Sequence, residues 1–208
     1  MNLKFFQLGI LGSTGSGKTF LTCQFIRSIE KRFNRIILVD DLMQFRDIKN
    51  FIVCETLEKF IQKIINKKEF KLILRFESLI DYENAFKVLW LIKNYLLVID
   101  EISLFCSCYD ISESLRNIAQ RGRLKNISLI YNTQRAGDIN RKLSSQTEFI
   151  ISFRLQESND LRYFYINRKK AISINTLKNR EYILLRGEIG EFKKRLLESK
   201  IMLDFLNI

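Results

Sequence analysis

Short runs of hydrophobic residues alternate along this chain with segments whose hydrophobic residues recur every three to four positions. The runs predict buried β-strands, and the periodic segments predict amphipathic α-helices. We predict strands at residues 5–11, 35–39, 51–54, 71–76, 96–101, 127–132 and 149–153. We predict helices between them, at residues 19–33, 55–66, 82–93, 112–121 and 159–166. Such alternation is typical of an α/β protein with a mainly parallel sheet and helices on both faces.

The pattern weakens after residue 166. We therefore divide the chain into a core at residues 1–166 and a small, basic C-terminal β/α extension at residues 167–208, packed on the core. Within the extension, residues 182–185 and 191–194 predict a hairpin around the glycines Gly187 and Gly190. An apolar helix is expected after it.

Charge and composition narrow the possible functions. The chain has 35 Lys and Arg against 23 Asp and Glu, which gives a formal net charge of +12, and it has no His. This excess favours a polyanionic partner, either nucleic acid or an anionic membrane surface. The absence of His excludes nucleophile systems that use His as a base, and it excludes the HExxH zinc site.

Cysteine spacing and hydropathy indicate the compartment. Four cysteines, Cys23, Cys54, Cys106 and Cys108, lack the spacing of a zinc site and predict reduced thiols. No apolar run approaches the ~20 residues of a membrane span, and the N-terminus lacks the apolar region of a signal peptide. We therefore expect a soluble, intracellular protein.

Residues 12–19 match the phosphate-loop pattern GxxxxGK[ST] and lie between a predicted strand and a predicted helix. The residues of this loop are Gly12, Ser13, Thr14, Gly15, Ser16, Gly17, Lys18 and Thr19. The glycines let backbone N–H groups turn towards a β-phosphate, and the helix N-terminus adds partial positive charge. Lys18 is expected to reach the β- and γ-phosphates, and Thr19 to bind Mg²⁺ through its hydroxyl.

Two acidic residues, Asp100 and Glu101, end a run of buried apolar residues. In a phosphate-loop fold the first acid faces the Mg²⁺ site, and an adjacent Glu can orient the attacking water. We predict Asp100 as a metal-site residue and Glu101 as a catalytic residue. The motifs of signalling GTPases, Asn-Lys-x-Asp and a following Asp-x-x-Gly, are missing. A small-molecule kinase is the weaker enzyme alternative.

Three further segments carry a family resemblance. They are an RGR segment at residues 121–123, an apolar strand, and a TQR segment at residues 133–135. Together with GSTGSGKT and LLVIDE, they make the chain resemble the HerA/FtsK superfamily of DNA-pumping motors. The resemblance extends from about residue 5 to about residue 164. It implies a RecA-like P-loop ATPase core that uses ATP and Mg²⁺. It also implies a homo-oligomeric ring that threads double-stranded DNA without reading its sequence.

By position, the resemblance makes Gln134 the polar sensor of the γ-phosphate. Arg121, Arg123 and Arg135 become candidates for the charge that one subunit delivers to its neighbour's nucleotide, where a trans arginine accelerates hydrolysis by about 10³ to 10⁵. The alternative is that these arginines form a basic helix end that contacts DNA phosphate. The family often has proline after the Gln-Arg pair, whereas this chain has Ala136, so the shape of the next turn is left open.

The first strand begins near residue 5, so we expect no N-terminal barrel, and we expect neither a membrane anchor nor a winged-helix module. Such a bare motor core resembles the genome-packaging ATPases of membrane-containing icosahedral viruses, which also resemble the poxvirus packaging enzyme. We predict an ATP-driven double-stranded DNA translocase that packages a viral genome into a preformed capsid. A capsid vertex or portal protein is an expected partner. The expected location is cytoplasmic, in the host cell if the protein is viral, or the virion.

Clustered basic residues support a DNA partner, because phosphate contacts bind without reading sequence. The clusters comprise Arg141, Lys142, Arg168, Lys169, Lys170, Lys178, Arg180, Arg186, Lys193, Lys194 and Arg195. Two other functions stay open. One is a conjugation or repair translocase of the same superfamily, and the other is a nucleotide-gated DNA-binding or assembly protein with little turnover.

Overall fold

A single sheet organises the chain in the computed structural model, which describes residues 5–46, 48–168, 174–186 and 193–196. In chain order its strands are β1 (Gln7–Leu11), β2 (Arg35–Val39), β3 (Ile52–Cys54), β4 (Phe70–Leu74), β5 (Tyr95–Ile99), β6 (Ile127–Thr133), β7 (Phe149–Phe153), β8 (Glu181–Arg186) and β9 (Lys193–Leu196). Across the sheet the order is β3-β4-β2-β5-β6-β1-β7-β8-β9.

Helices cover both faces of this sheet. They are α1 (Lys18–Ile29), α2 (Leu57–Ile64), α3 (Leu79–Leu91), α4 (Glu113–Arg121), α5 (Arg141–Ser144) and α6 (Ser158–Arg168). The apolar side of α1 joins one buried cluster, and the apolar sides of α2, α3 and α4 join a second one. Because both faces are covered, strands such as β1, β5 and β7 are buried along their whole length. The predicted α/β fold with a mainly parallel sheet is confirmed.

Strand β6 lies between β1 and β5 and is parallel to both. Its register sets Tyr131 opposite Ile99 of β5, and sets Asn132 opposite Ile10 of β1. The carboxyl ends of these three strands therefore meet at one edge of the sheet. In an open α/β sheet, ligands bind at that edge.

Side-chain caps fix the start of three helices. Thr56 accepts a hydrogen bond from the backbone N–H of Lys59, Ser78 accepts one from Ile80, and Ser112 accepts one from Leu115. Each cap satisfies a backbone donor that the first helical turn leaves unpaired. Helix α3 therefore begins at Leu79, three residues before its predicted start, because Ser78 and not the first buried residue marks its N-terminus.

The last strands extend the same sheet in the antiparallel sense. Strand β8 pairs with β7, and β9 pairs with β8, so the predicted hairpin strands are present. Tyr182 and Ile183 on β8 are buried in the two clusters on opposite faces of the sheet. The division of the chain near residue 166 stays a prediction. The glycine turn at 187–190 and the expected C-terminal helix lie outside the described residues, as do Lys169 and Lys170.

Two further sequence expectations concern membranes and thiols. Within the described part of the chain, no helix has both the length and the apolar character that a membrane crossing requires. The four cysteines are in the thiol form, with Cys108 exposed and the other three buried.

An ion pair buried beside the carboxyl end of β2 fixes the turn that follows it. Asp40 is fully buried, and its Oδ2 accepts from Nε and Nη2 of Arg75 at 2.9 and 2.7 Å. Its Oδ1 accepts from the backbone N–H of Gln44 at 2.7 Å. Asp40 therefore ties the turn at residues 40–46 to the end of β4.

We expect Arg75→Met to destabilise the protein by about 3 kcal/mol, because it leaves the Asp40 carboxylate buried without its cation. The matched control is Lys71→Met on β4, whose ion pair with Glu30 is partly exposed, and whose loss should cost less than about 1 kcal/mol. Urea unfolding of both variants measures the difference. Equal losses would show that the Asp40–Arg75 pair does not anchor the turn.

Candidate functional site

The predicted phosphate loop connects β1 to α1, and its backbone requires glycine at defined points. Gly15 and Gly17 have φ angles of 77° and 106°, in the left-handed region that other residues rarely adopt. At Gly12 an added Cβ would lie 2.7 Å from the Cβ of Phe153 and 2.7 Å from the Oγ of Ser16. Larger residues at these positions would therefore strain the loop or push it away from β7.

The N-terminus of α1 is open towards the loop. Gly17 is its N-cap and supplies no side-chain hydrogen bond to the first turn. In addition, the buried Ser16 Oγ has no hydrogen-bond partner among the described residues. Uncapped N–H groups and the helix dipole at the start of a twelve-residue helix make a binding site for an anion such as phosphate.

Lys18 is buried and turned back into the loop. Its Nζ donates to the carbonyl oxygens of Gly12 at 2.7 Å and Ser13 at 3.1 Å. Burial lowers the pKa of Lys18 from its ordinary value, and the nearby carboxylates of Glu101 and Asp100 offset part of that shift. The ammonium is thus held at the loop, between its carbonyl groups and two acidic side chains.

Oxygen atoms from three segments converge next to Lys18. The hydroxyl of Thr19 lies 3.2 Å from Oδ1 of Asp100 and 2.9 Å from Oε1 of Gln44. A hydroxyl and a carboxylate are the ligands that suit Mg²⁺, which also takes phosphate oxygens and water. Among the described residues, no cluster of three or more His, Cys, Asp or Glu could hold a metal ion.

Asn132 holds the Asp100 carboxylate in place. Its Nδ2 donates to Asp100 Oδ1 at 2.8 Å, and its Oδ1 accepts from the hydroxyl of Thr22 at 2.9 Å. Asn132 and Thr22 are both fully buried. Burial raises the pKa of Asp100, and the hydrogen bonds from Asn132 and Thr19 lower it in part. The amide thus bridges α1 and the end of β5.

The other two predicted residues at this edge also face the loop region. Glu101 is buried, and its Oε1 accepts from the hydroxyl of Ser103 at 2.7 Å. Gln134 follows β6, and its Oε1 accepts from the hydroxyl of Thr14 at 2.8 Å. Each side chain is thereby held by a neighbouring hydroxyl.

These residues line one cavity of about 220 Å³. Its walls comprise Thr14, Gly15, Gly17, Lys18, Thr19, Phe20, Leu42, Gln44, Asp100, Glu101 and Gln134. Sites for whole drug-sized ligands usually enclose ~300 to 1,000 Å³, so this cavity fits the phosphate part of a nucleotide. The half-exposed Phe20 and Leu42 give it an apolar margin.

None of the three predicted arginines is among the described residues that line this cavity. Arg135 is half-exposed and lies 3.9 Å from the carboxylates of Asp138 and Glu157. Arg121 ends α4, and Arg123 follows it; both are exposed and precede the start of β6. They therefore lie towards the opposite edge of the sheet from the phosphate loop.

Sequence reasoning missed Gln44 and Asn132. Asn132 carries a recognisable signal, since it is a polar residue near the end of an apolar strand that follows the acidic pair in the chain. Gln44 carries no such signal, because only the Asp40 turn brings it to Thr19.

Residues 1–182 match the family model of the poxvirus A32 protein. No curated protein matches the chain. The genome packaging NTPase B204 from Sulfolobus turreted icosahedral virus 2 has a similar solved structure. In complex with sulfate it has a TM-score of 0.79 at 19% identity over 94% of this chain and 98% of that chain. In complex with ATP-gammaS the same protein has a TM-score of 0.76 at 20% identity over 95% of this chain and 100% of that chain.

VirB4 of Thermoanaerobacter pseudethanolicus is also similar, with a TM-score of 0.64 at 12% identity over 92% of this chain and 89% of that chain. At these identities the structural likeness establishes a shared fold. It confirms the predicted P-loop NTPase fold.

We expect Asn132→Leu to weaken binding of ATPγS with Mg²⁺ by about 10- to 100-fold, as is typical when a group that orients a metal ligand is lost. Binding of ATPγS in EDTA should change by less than about twofold, because phosphate contacts do not use Asn132. Ser128→Ala, a buried polar change at the other end of β6, is the matched control. Equal weakening of ATPγS binding with Mg²⁺ and in EDTA would show that Asn132 stabilises the fold and does not act through the metal site.

Proposed function

The chain belongs to the family of the poxvirus A32 protein, and from this premise we propose that it is an ATPase that translocates double-stranded DNA and packages a viral genome into a preformed capsid. The resemblance carried by GSTGSGKT, LLVIDE and TQR is confirmed by this family match. One observation of the structure carries the proposal: Lys18, Asp100 and Gln134, which follow three different strands, line a single cavity.

ATP binding is assigned to the phosphate loop. The N–H groups at the start of α1 bind the β-phosphate, and Lys18 exchanges its two loop carbonyls for oxygens of the β- and γ-phosphates. Thr19 and Asp100 would hold Mg²⁺, and Asn132 keeps the Asp100 carboxylate aligned. When bound, Mg²⁺ neutralises charge that develops on the phosphate oxygens.

Hydrolysis is assigned to Glu101 and Gln134. Glu101 orients the attacking water and accepts its proton, while Ser103 fixes one carboxylate oxygen. The amide N–H of Gln134 contacts the γ-phosphate, while its Oε1 accepts from the hydroxyl of Thr14. The γ-phosphate would thereby be linked to the segment after β6 through Gln134.

The positive charge that completes the site comes from a neighbouring subunit. Arg121 and Arg123 are exposed and lie away from the cavity of their own chain, which suits a residue that acts on another copy. Arg135 stays a candidate on sequence position alone. A ring of identical subunits, each with ATP at the contact to the next, is the assembly that this arrangement requires. Double-stranded DNA passes through this ring. A capsid vertex or portal protein anchors the ring, which is located in the host cytoplasm or in the virion.

Two substitutions separate ATP binding from hydrolysis. Lys18→Ala should abolish both nucleotide binding and turnover, because no other described cation lines the cavity. Glu101→Gln should bind ATP normally and lower kcat by about 10²- to 10⁴-fold. Glu77→Gln, an exposed change that follows β4 at the same sheet edge, is the control and should keep the wild-type rate. Full turnover by the Glu101 variant would remove this residue from the mechanism.

The motor assignment is tested by ATPase activity measured against protein concentration, with and without double-stranded DNA. The specific activity should rise steeply with concentration, because each site is completed by a neighbouring copy, and DNA should stimulate it further. A small-molecule kinase would transfer phosphate to an acceptor and leave no such dependence. Binding of ATP and DNA without turnover would instead support the nucleotide-gated switch.

A further inference from the structure

A second cavity of about 670 Å³ opens beside the cavity at the phosphate loop, and of the residues that line it only Arg135 is a candidate for a part in the proposed ATPase reaction. Three segments surround it: the turn at residues 107–110, the segment from Arg135 to Arg141, and the start of α6. Here it is called the arginine cavity, because its walls include Arg135, Arg141 and Arg162. From these observations, and resting on the proposed function, we infer that the arginine cavity is the surface by which each subunit grips the DNA backbone.

Two buried side chains hold the three segments together. Asn140 Nδ2 donates to the carbonyl of Ser107 at 3.0 Å, which joins the turn to the middle segment. Asp160 Oδ1 accepts from the N–H of Gly137 at 2.8 Å, which joins the middle segment to α6. Asn140 and Asp160 are 4% and 2% exposed. The arginine cavity is therefore a built surface with a fixed shape.

The charge available at this surface is positive. Arg141 and Arg162 are exposed, and the described residues give neither an acidic partner within 4.0 Å. The two acids in the walls face other groups, since Asp160 accepts from Gly137 and Asp138 lies 3.9 Å from Arg135. Two guanidinium groups without an acidic partner in the described part of the chain suit phosphate oxygens, which they bind without regard to base sequence.

Tyr109 adds an aromatic contact at the tip of the turn. It is 95% exposed, although the turn beneath it is ordered by hydrogen bonds from the N–H groups of Tyr109 and Asp110 to Ser107 Oγ, at 3.3 and 3.0 Å. An exposed tyrosine ring on an ordered turn is expected to contact the sugar-phosphate edge. The overall charge of +12 attracts an acidic protein as well as DNA. The experiment therefore also measures binding of an acidic polypeptide.

The position of the arginine cavity links it to the nucleotide. Gln134 lines the nucleotide cavity and the next residue, Arg135, lines the arginine cavity. Loss of the contact between the γ-phosphate and Gln134 would act on the residue next to Arg135, in the segment that continues to Asn140 and Arg141. This adjacency links the DNA surface to the nucleotide site.

The test measures binding of a fluorescent 30-base-pair duplex to the full chain by anisotropy, with Mg²⁺ and ATPγS, across a range of salt concentrations. We expect the double variant R141A/R162A to bind at least about tenfold more weakly and to lower the slope of log affinity against log salt by about 2, one unit for each lost phosphate contact. Tyr109→Ala should weaken binding about fivefold and leave the salt slope unchanged, because the lost contact is not ionic.

The matched control is K31A/R32A, which removes two exposed positive charges after α1, away from the arginine cavity. It should keep the wild-type affinity. ATPγS binding by every variant confirms that the fold persists. Wild-type affinity and slope in R141A/R162A would overturn the inference, and so would an equal loss in the control. Tighter binding of fluorescent polyglutamate than of the duplex by the wild-type chain, lost in R141A/R162A, would also overturn it, in favour of an acidic protein.

The same variants distinguish failure of this inference from failure of the proposed function. If DNA does not stimulate ATP hydrolysis by the wild-type chain, the proposed function fails. If DNA stimulates the wild-type chain and R141A/R162A equally, the function stands and only the DNA surface is wrong. If DNA stimulates ATP hydrolysis by the wild-type chain but not by R141A/R162A, the proposed function and the proposed DNA surface are both supported.

Discussion

The amide of Asn132 joins the two halves of the site through a pair of hydrogen bonds. One reaches Asp100 beyond the end of β5, and the other reaches Thr22 on α1. This is possible because β6 lies between β1 and β5 in parallel register, so that the ends of all three strands meet. A shift of one residue in this register would turn Asn132 to the other face of the sheet and separate the loop from its acid. Every role assigned to Lys18 and Thr19 assumes that Asp100 stays beside them.

Local features of the chain could be predicted from sequence because their causes are local. The phosphate loop depends on glycine backbone freedom and on adjacency to a strand and a helix, both of which are written in consecutive residues. The acidic pair Asp100 and Glu101 is recognisable because it ends an unbroken apolar run that can only be a buried strand. Strands β2 and β7 have the predicted bounds because polar residues flank them closely.

Features that depend on pairing between distant segments could not be predicted in this way. The order of the strands is one of them, and so is the placement of Gln44, which reaches Thr19 only through the turn fixed by Asp40 and Arg75. Helix α3 begins at Leu79 and not at its predicted start, because the cap at Ser78 decides the boundary. Leu79 and Ile80 are apolar but exposed, so they do not belong to the buried face of the helix. Hydrophobic period alone does not distinguish such residues from core residues.

The carbonyl groups that hold Lys18 have a consequence for the rate of the catalytic cycle. With its ammonium bound to Gly12 and Ser13, the loop is already folded around an internal cation. In the proposed function, arrival of a triphosphate would exchange these carbonyl oxygens for phosphate oxygens around Lys18, and little chain entropy would be lost in ordering the loop. The reverse exchange would assist release of the product, because the carbonyls can bind the lysine again as the nucleotide leaves. A motor that must release its product after every step would therefore depend on this reversible contact as much as on tight binding.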